Sequence, residues 1–126
     1  MAKFDFEDLK VYQKSLLFID LVYILSSKFP KDELFGLTNQ FRRAANSIAL
    51  NLGEGFGESI ALNLRYLRIV RGSIRECVVC STIAKQRNFI DEKDELKTRE
   101  LLEELSKMSM GYRKYLEKKI NEVKTH

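Results

Sequence analysis

Arg42-Arg43-Ala44-Ala45-Asn46-Ser47-Ile48-Ala49-Leu50-Asn51-Leu52-Gly53-Glu54-Gly55 is the stretch that decides the fold. Read as a helix at about 100° per residue, it puts Ala44, Ile48 and Leu52 on one apolar strip. Ser47, Asn51 and Glu54 fall close together on a second strip. A helix that needs only to pack rarely lines three hydrogen-bonding side chains along one strip and then closes with Gly-Glu-Gly. Polar groups so placed either face water or are satisfied by a neighbouring helix.

Working outward, the spacing predicts four helices. The first runs from about Glu7 to Lys28 and stops ahead of Pro30, which disfavours helical geometry in the residue before it. Its apolar residues form two opposed stripes: Leu9, Tyr12, Leu16, Ile19 and Tyr23 on one side, Val11, Phe18, Val22 and Leu25 on the other. A helix apolar nearly all round is buried on more than one side. Because each helix of a small four-helix monomer keeps a solvent face, this one is expected to meet another subunit. A short turn is expected at Asp32 to Phe35, and the second helix is expected to start near Thr38, a good capping residue, and to end at Gly53 to Gly57. The glycines there tolerate positive φ and close helix approach. They do not form a phosphate loop, since no strand precedes them and no Gly-Lys-Ser/Thr follows.

The third helix spans about Ser59 to Arg87, with Leu62, Tyr66, Ile69, Val70, Ile74, Cys77 and Cys80 on its apolar face. Asn88 with Asp91 marks a turn and a helix N-cap. The fourth helix follows from about Glu92 to Val123, with Leu101, Leu105, Met108, Tyr112, Leu116, Ile120 and Val123 toward the core. One proline and six glycines are too few for a many-turned β fold. The expected architecture is therefore a single all-α domain over residues 1–126, an up-down-up-down four-helix bundle. Nothing at the start of the chain reads as a signal peptide, and the longest apolar run, Leu16 to Leu25, is broken by Asp20. The expected location is the cytoplasm.

The net charge is +4, and the whole excess sits on residues 58–90, which hold six Lys/Arg against two Asp/Glu. Arg65, Arg68, Arg71 and Arg75, spaced three, three and four apart, make one guanidinium stripe about 15 Å long. Such a stripe can meet successive phosphates, each with paired hydrogen bonds. It can equally pair with acidic residues of the last helix such as Asp94, Glu100, Glu103 and Glu104. Contact with phosphates would read nucleic-acid backbone rather than base edges, and so carry little sequence preference. Arg42 and Arg43 are candidate helpers.

Ser47, Asn51, Glu54, Ser73 and Glu76 form a second constellation with Arg42 and Arg43. Gly72 and Ser73 would let the third helix approach the second, with Glu76 accepting from an arginine there. The reading is a buried polar network that sets helix register, with a ligand site as the alternative. Glu54 and Glu76 as a catalytic pair would need a cleft and a raised carboxyl pKa. Cys77-Val78-Val79-Cys80 is a lone C-x-x-C on an apolar helix face, and the chain's only histidine is His126. Zinc would lack two ligands, and Ser-His or Cys-His catalysis has no internal histidine to use. No cofactor, no metal and no enzymatic activity are expected.

Several of these stretches together resemble one family. Phe6 to Leu9 with Tyr12 and Gln13, Phe29-Pro30 with Glu33, Gly36-Leu37-Thr38, and Gln40 with Arg42-Arg43-Ala44 resemble its opening and the start of its second helix. Ser47-Ile48, Asn51, Glu54-Gly55 and Gly72-Ser73 with Glu76 carry the remaining signatures. Arg71 and Asn63 depart from the pattern, the first making the third helix more basic. The family is that of the small four-helix-bundle proteins encoded in intervening sequences of bacterial 23S rRNA genes, relatives of which act as accessory proteins in diversity-generating retroelements. The resemblance implies a ring-shaped homopentamer, and a reverse transcriptase or another protein as a partner beside RNA or DNA. Two functions follow as expectations: a nucleic-acid-binding accessory protein, or a protein scaffold whose basic surface docks an acidic partner.

Overall fold

Local chemistry starts and stops each helix. The computed structural model describes residues 3–124 and contains α1 (Lys10–Ser26), α2 (Leu37–Phe56), α3 (Ile60–Gln86) and α4 (Glu92–Lys124). Met1, Ala2, Thr125 and His126 lie outside the described residues. Residues 5–8 tighten into a 3-10 turn, so α1 starts at Lys10 rather than near Glu7. The Glu7 carboxylate draws that turn closed by accepting from the Phe4 N–H at 2.8 Å. Lys31–Glu33 form a second such turn. Its Glu33 carboxylate accepts from the Leu37 N–H at 3.1 Å and so takes over the capping expected of Thr38, which is instead buried. Ser59 caps α3 by accepting from the Leu62 N–H, and Asp91 does the same for Asp94 at 2.8 Å. At the far end of α3, Asn88 adopts a φ of 61°, while the Asn88 and Phe89 N–H groups donate to the Lys85 and Ala84 carbonyls. This closes the helix with a left-handed residue in the usual two-bond pattern.

The connections turn each helix back on the one before, the longest being that between α1 and α2, and α1 and α4 close the square. The result is an all-α four-helix bundle, with no strand among the described residues. Its core runs through Phe18, Val22 and Leu25 of α1, Phe41, Ile48 and Leu52 of α2, Leu67, Val70, Ile74 and Cys77 of α3, and Leu102, Leu105 and Leu116 of α4. Two helix phases differ slightly from expectation. On α3 Leu67 is buried while Ile69 is exposed, and on α4 Leu102 is buried while Val123 is exposed. In α1 the Val11–Phe18–Val22–Leu25 stripe enters the core. Leu16, Leu17, Tyr23 and Ile24 stay exposed on the other side.

Gly55 is the glycine that allows α2 and α3 to meet closely, not Gly72. A Cβ at Gly55 would lie 2.7 Å from Asn63 Oδ1 and 2.8 Å from Tyr66 Cβ, whereas one at Gly72 would meet nothing within 4 Å. Asn63 is itself held, donating to the Tyr112 hydroxyl of α4 at 2.8 Å. Opposite signs are therefore expected for two identical changes. Gly55→Ala should destabilise the fold by up to about 2 kcal/mol, because overpacking of about 1–3 kcal/mol outweighs the roughly 1 kcal/mol gain in helix propensity. Gly72→Ala should stabilise it by about 0.5–1 kcal/mol. Urea midpoints at constant slope measure both, and stabilisation by both would mean that α2 and α3 do not touch at Gly55.

Candidate nucleic-acid interface

The six arginines singled out in the sequence fall in three places. Arg68, Arg71 and Arg75 point from α3 into its seam with α4. There Ser106 and Ser109 line the opposite wall of a depression of about 330 Å³. An adjoining depression of about 270 Å³ shares Arg68 and Arg71 and adds Arg113 and Glu117 of α4. Arg65 is exposed nearby but lines neither depression.

Arg42 lies on the other side of α2, where its Nε donates to Ser26 Oγ at 2.8 Å and its guanidinium stacks 4.7 Å above the Tyr23 ring. This arginine braces α2 against α1, helped by Asn46, whose amide donates to the Tyr23 hydroxyl at 2.9 Å. Arg43 faces the α2–α3 side, lining a separate cavity with Glu76.

The seam carries the charge that the composition announced. Arg113 Nε donates to Glu117 Oε1 at 2.5 Å, which commits the one carboxylate lining these depressions. Arg68, Arg71 and Arg75 have no hydrogen bond or ion pair among the described residues. The acids expected as their partners do not reach them: Glu104 pairs with Lys14 of α1 at 2.9 Å, and Asp94, Glu100 and Glu103 make no ion pair among the described residues. Three unneutralised guanidiniums along about 10 Å of helix form a positive groove between two helix walls. Arg113 was missed as a member of this group. Ser106, Ser109, Arg113 and Glu117, spaced three, four and four apart, are the stripe on the last helix that marks it.

The polar constellation also divides. Asn51 Nδ2 donates to the Ser47 carbonyl at 2.8 Å and to Ser47 Oγ at 3.0 Å, and Ser73 Oγ donates to Ser47 Oγ at 2.9 Å. The Ser73–Ser47 bond ties α3 to α2, while the Asn51 bonds lie within α2. Glu76 accepts from no arginine, because Arg42 is engaged with α1 and Arg43 stands apart from it. Glu54 lies in a different groove, between α1 and α2, with Tyr12, Leu16, Ile19 and Leu50. The two carboxylates thus line separate cavities and share no cleft. Cys77 and Cys80 are buried, and burial pushes the Cys80 thiol up to about 11 and raises Cys77 as well. Both therefore stay protonated near neutral pH, as small apolar side chains. Among the described residues no group of three His, Cys, Asp or Glu could hold a metal ion, and no helix is long and apolar enough to cross a membrane.

Fold and seam together describe a small all-helical bundle with one arginine-lined groove. The chain belongs to the 23S rRNA-intervening sequence protein family, whose sequence pattern matches residues 7–111. No curated protein matches it.

Proposed function

We propose that this protein is a non-catalytic, oligomeric nucleic-acid-binding accessory protein of the cytoplasm that holds RNA or DNA by its backbone. The observation that carries the reading is the α3–α4 seam, where Arg68, Arg71 and Arg75 are left without an acidic partner. Unpaired guanidiniums repel one another at helical spacing, and phosphate oxygens relieve that repulsion with paired, charge-assisted bonds. Arg65 and Arg113 extend the surface at either side. Assembly is supported by the groove of about 750 Å³ between α1 and α2, lined by Phe6, Tyr12, Leu16, Ile19 and Leu50, where Leu50 is 63% exposed. Contiguous apolar surface of this kind marks a protein contact. Family resemblance makes the oligomer a pentamer, which would repeat the arginine seam once per subunit. A reverse transcriptase as partner rests on the same resemblance alone.

Fluorescence anisotropy with labelled structured RNA and duplex DNA at several salt concentrations tests this, with light scattering to fix the oligomeric mass. Binding of both, weakening linearly in log–log form with salt and with little sequence preference, is the expected result. No binding at low salt would sink the nucleic-acid reading and leave the basic seam as a dock for an acidic protein. A monomeric mass would remove the oligomer.

A further inference from the structure

Three separate stretches that carried the family resemblance, around Gly36–Gln40, Arg43–Ser47 and Ser73–Glu76, converge on one cavity of about 630 Å³ between α2 and α3. Its chemistry differs from that of the arginine seam. Arg43 and Glu76 both line it, yet they form no ion pair with each other or with any other described residue. The carboxamides of Asn39 and Gln40 also line it and make no side-chain hydrogen bond among the described residues. At its inner end the Ser47 and Ser73 hydroxyls share a single hydrogen bond, so the pair keeps one hydroxyl proton unspent. Phe35 stands at the rim, 92% exposed, on a turn whose Glu33 carboxylate anchors the start of α2.

That inventory selects one ligand chemistry. A phosphate or polyanion would be repelled by Glu76, and an apolar molecule would leave the guanidinium, carboxylate and carboxamides unsatisfied. A carboxamide offers one acceptor and two donors, the complement of a peptide group with its C=O and N–H. One cation, one anion, two carboxamides and an aromatic rim match a peptide that carries an acidic and a basic side chain. We propose that this cavity recognises a peptide segment of a partner protein. Arg43 takes its carboxylate, Glu76 takes its ammonium or guanidinium, Asn39 and Gln40 pair with its main chain, and Phe35 covers an apolar side chain. The proposal is independent of nucleic-acid binding, which uses the other edge of α3.

The native protein is panned against a displayed library of random twelve-residue peptides. A synthetic peptide of the enriched consensus is then measured by anisotropy against the native protein, Arg43→Gln and Glu76→Gln. Both changes fall on exposed side chains, so circular dichroism is expected to be unaltered. The expected result is a consensus with one acidic and one basic residue, and at least tenfold weaker binding by each variant. Changing the peptide's acidic residue to Asn should then weaken binding to the native protein but not to Arg43→Gln. No enrichment, or a consensus whose affinity ignores both variants, overturns the proposal. A purely acidic consensus lost on Arg71→Ala also overturns it, since the peptide would then occupy the seam. So does a fall in the native oligomeric mass on Arg43→Gln or Glu76→Gln, which would give the cavity to a second copy of this chain.

Discussion

Replacing Arg68, Arg71 and Arg75 together with alanine is expected to weaken binding to structured RNA by roughly a hundredfold at low salt. The estimate starts from charge-assisted hydrogen bonds, discounted to about 1 kcal/mol each because the groove is open to solvent. Three of them amount to about 3 kcal/mol, or a hundredfold in Kd. The slope of log K against log salt should shrink by roughly 2–3 units, since each lost phosphate contact removes about 0.7–0.9. Removing three like charges from one helix face also eases their repulsion, so stability should hold or rise slightly. Arg42→Ala is the internal control for charge alone. Its guanidinium is committed to Ser26 and Tyr23, so it should leave the slope unchanged while loosening α1 from α2. If Arg42→Ala and Arg43→Ala reduce the slope as much as the seam changes do, binding follows diffuse positive charge and the groove has no special part. Titrations of each variant over a salt series, at matched oligomeric mass, decide between these outcomes.

The parts of the fold legible in the sequence are those governed by neighbours along the chain. The Ala44–Ile48–Leu52 strip is buried as its spacing requires, and Asp91 caps α4 as its place after the turn suggests. α1 ends at Ser26, ahead of Pro30 and two residues short of the expected Lys28, and the next helix starts after one short turn. Legibility fails where a second element decides. Thr38 has good capping chemistry, but Glu33 accepts from the Leu37 N–H and starts the helix one residue earlier, leaving Thr38 inside it and buried. Ile69 and Leu67 are both apolar and only two residues apart. Which of them enters the core depends on the rotation of α3 against α2 and α4, and spacing within one helix cannot set that.

The candidate sites show the same division more sharply. A stripe of arginines is visible in one helix, but whether it faces solvent, acids or a groove depends on the helix beside it. Arg113 joins the seam for that reason, and of the expected acids Glu104 is drawn to Lys14 of α1. Ser47 accepts from Asn51 within α2 and from Ser73 across to α3, while Glu54 lines the α1–α2 groove and Glu76, on α3, lines the α2–α3 cavity. Gly72 beside Ser73 looked like the point of close approach because small residues permit it. Permission is not contact, and Gly55 meets Asn63 and Tyr66 because that is where the two helices diverge from their short connection.

The other large effect is expected at the end of the bundle that holds the long α1–α2 connection. Phe41 is fully buried, with the Phe18 ring 6.5 Å away and edge-on and the Phe29 ring 6.4 Å away and stacked. Phe29 in turn lies 5.5 Å from Phe89, so one aromatic line ties α1, α2, the α1–α2 connection and the α3–α4 connection together. Phe41→Ala removes the middle of that line. The loss combines burial of a large ring with a cavity that four neighbouring segments cannot all collapse into, and should reach about 3–5 kcal/mol. Spread over a domain of this size, that is a fall of roughly 10–20 °C in Tm. Phe35→Ala, six residues earlier, deletes the same ring from an exposed position and should change stability by less than about 0.5 kcal/mol. The contrast separates burial from aromatic content, because both variants lose one phenyl group from neighbouring sequence. Calorimetry on the two, at one protein concentration so that assembly contributes equally, measures it. A loss below about 1 kcal/mol at Phe41 would mean that α2 does not carry this face into the core. The phase of the helix would then be wrong, and with it the placement of Arg43 and Ser47 on the side facing α3.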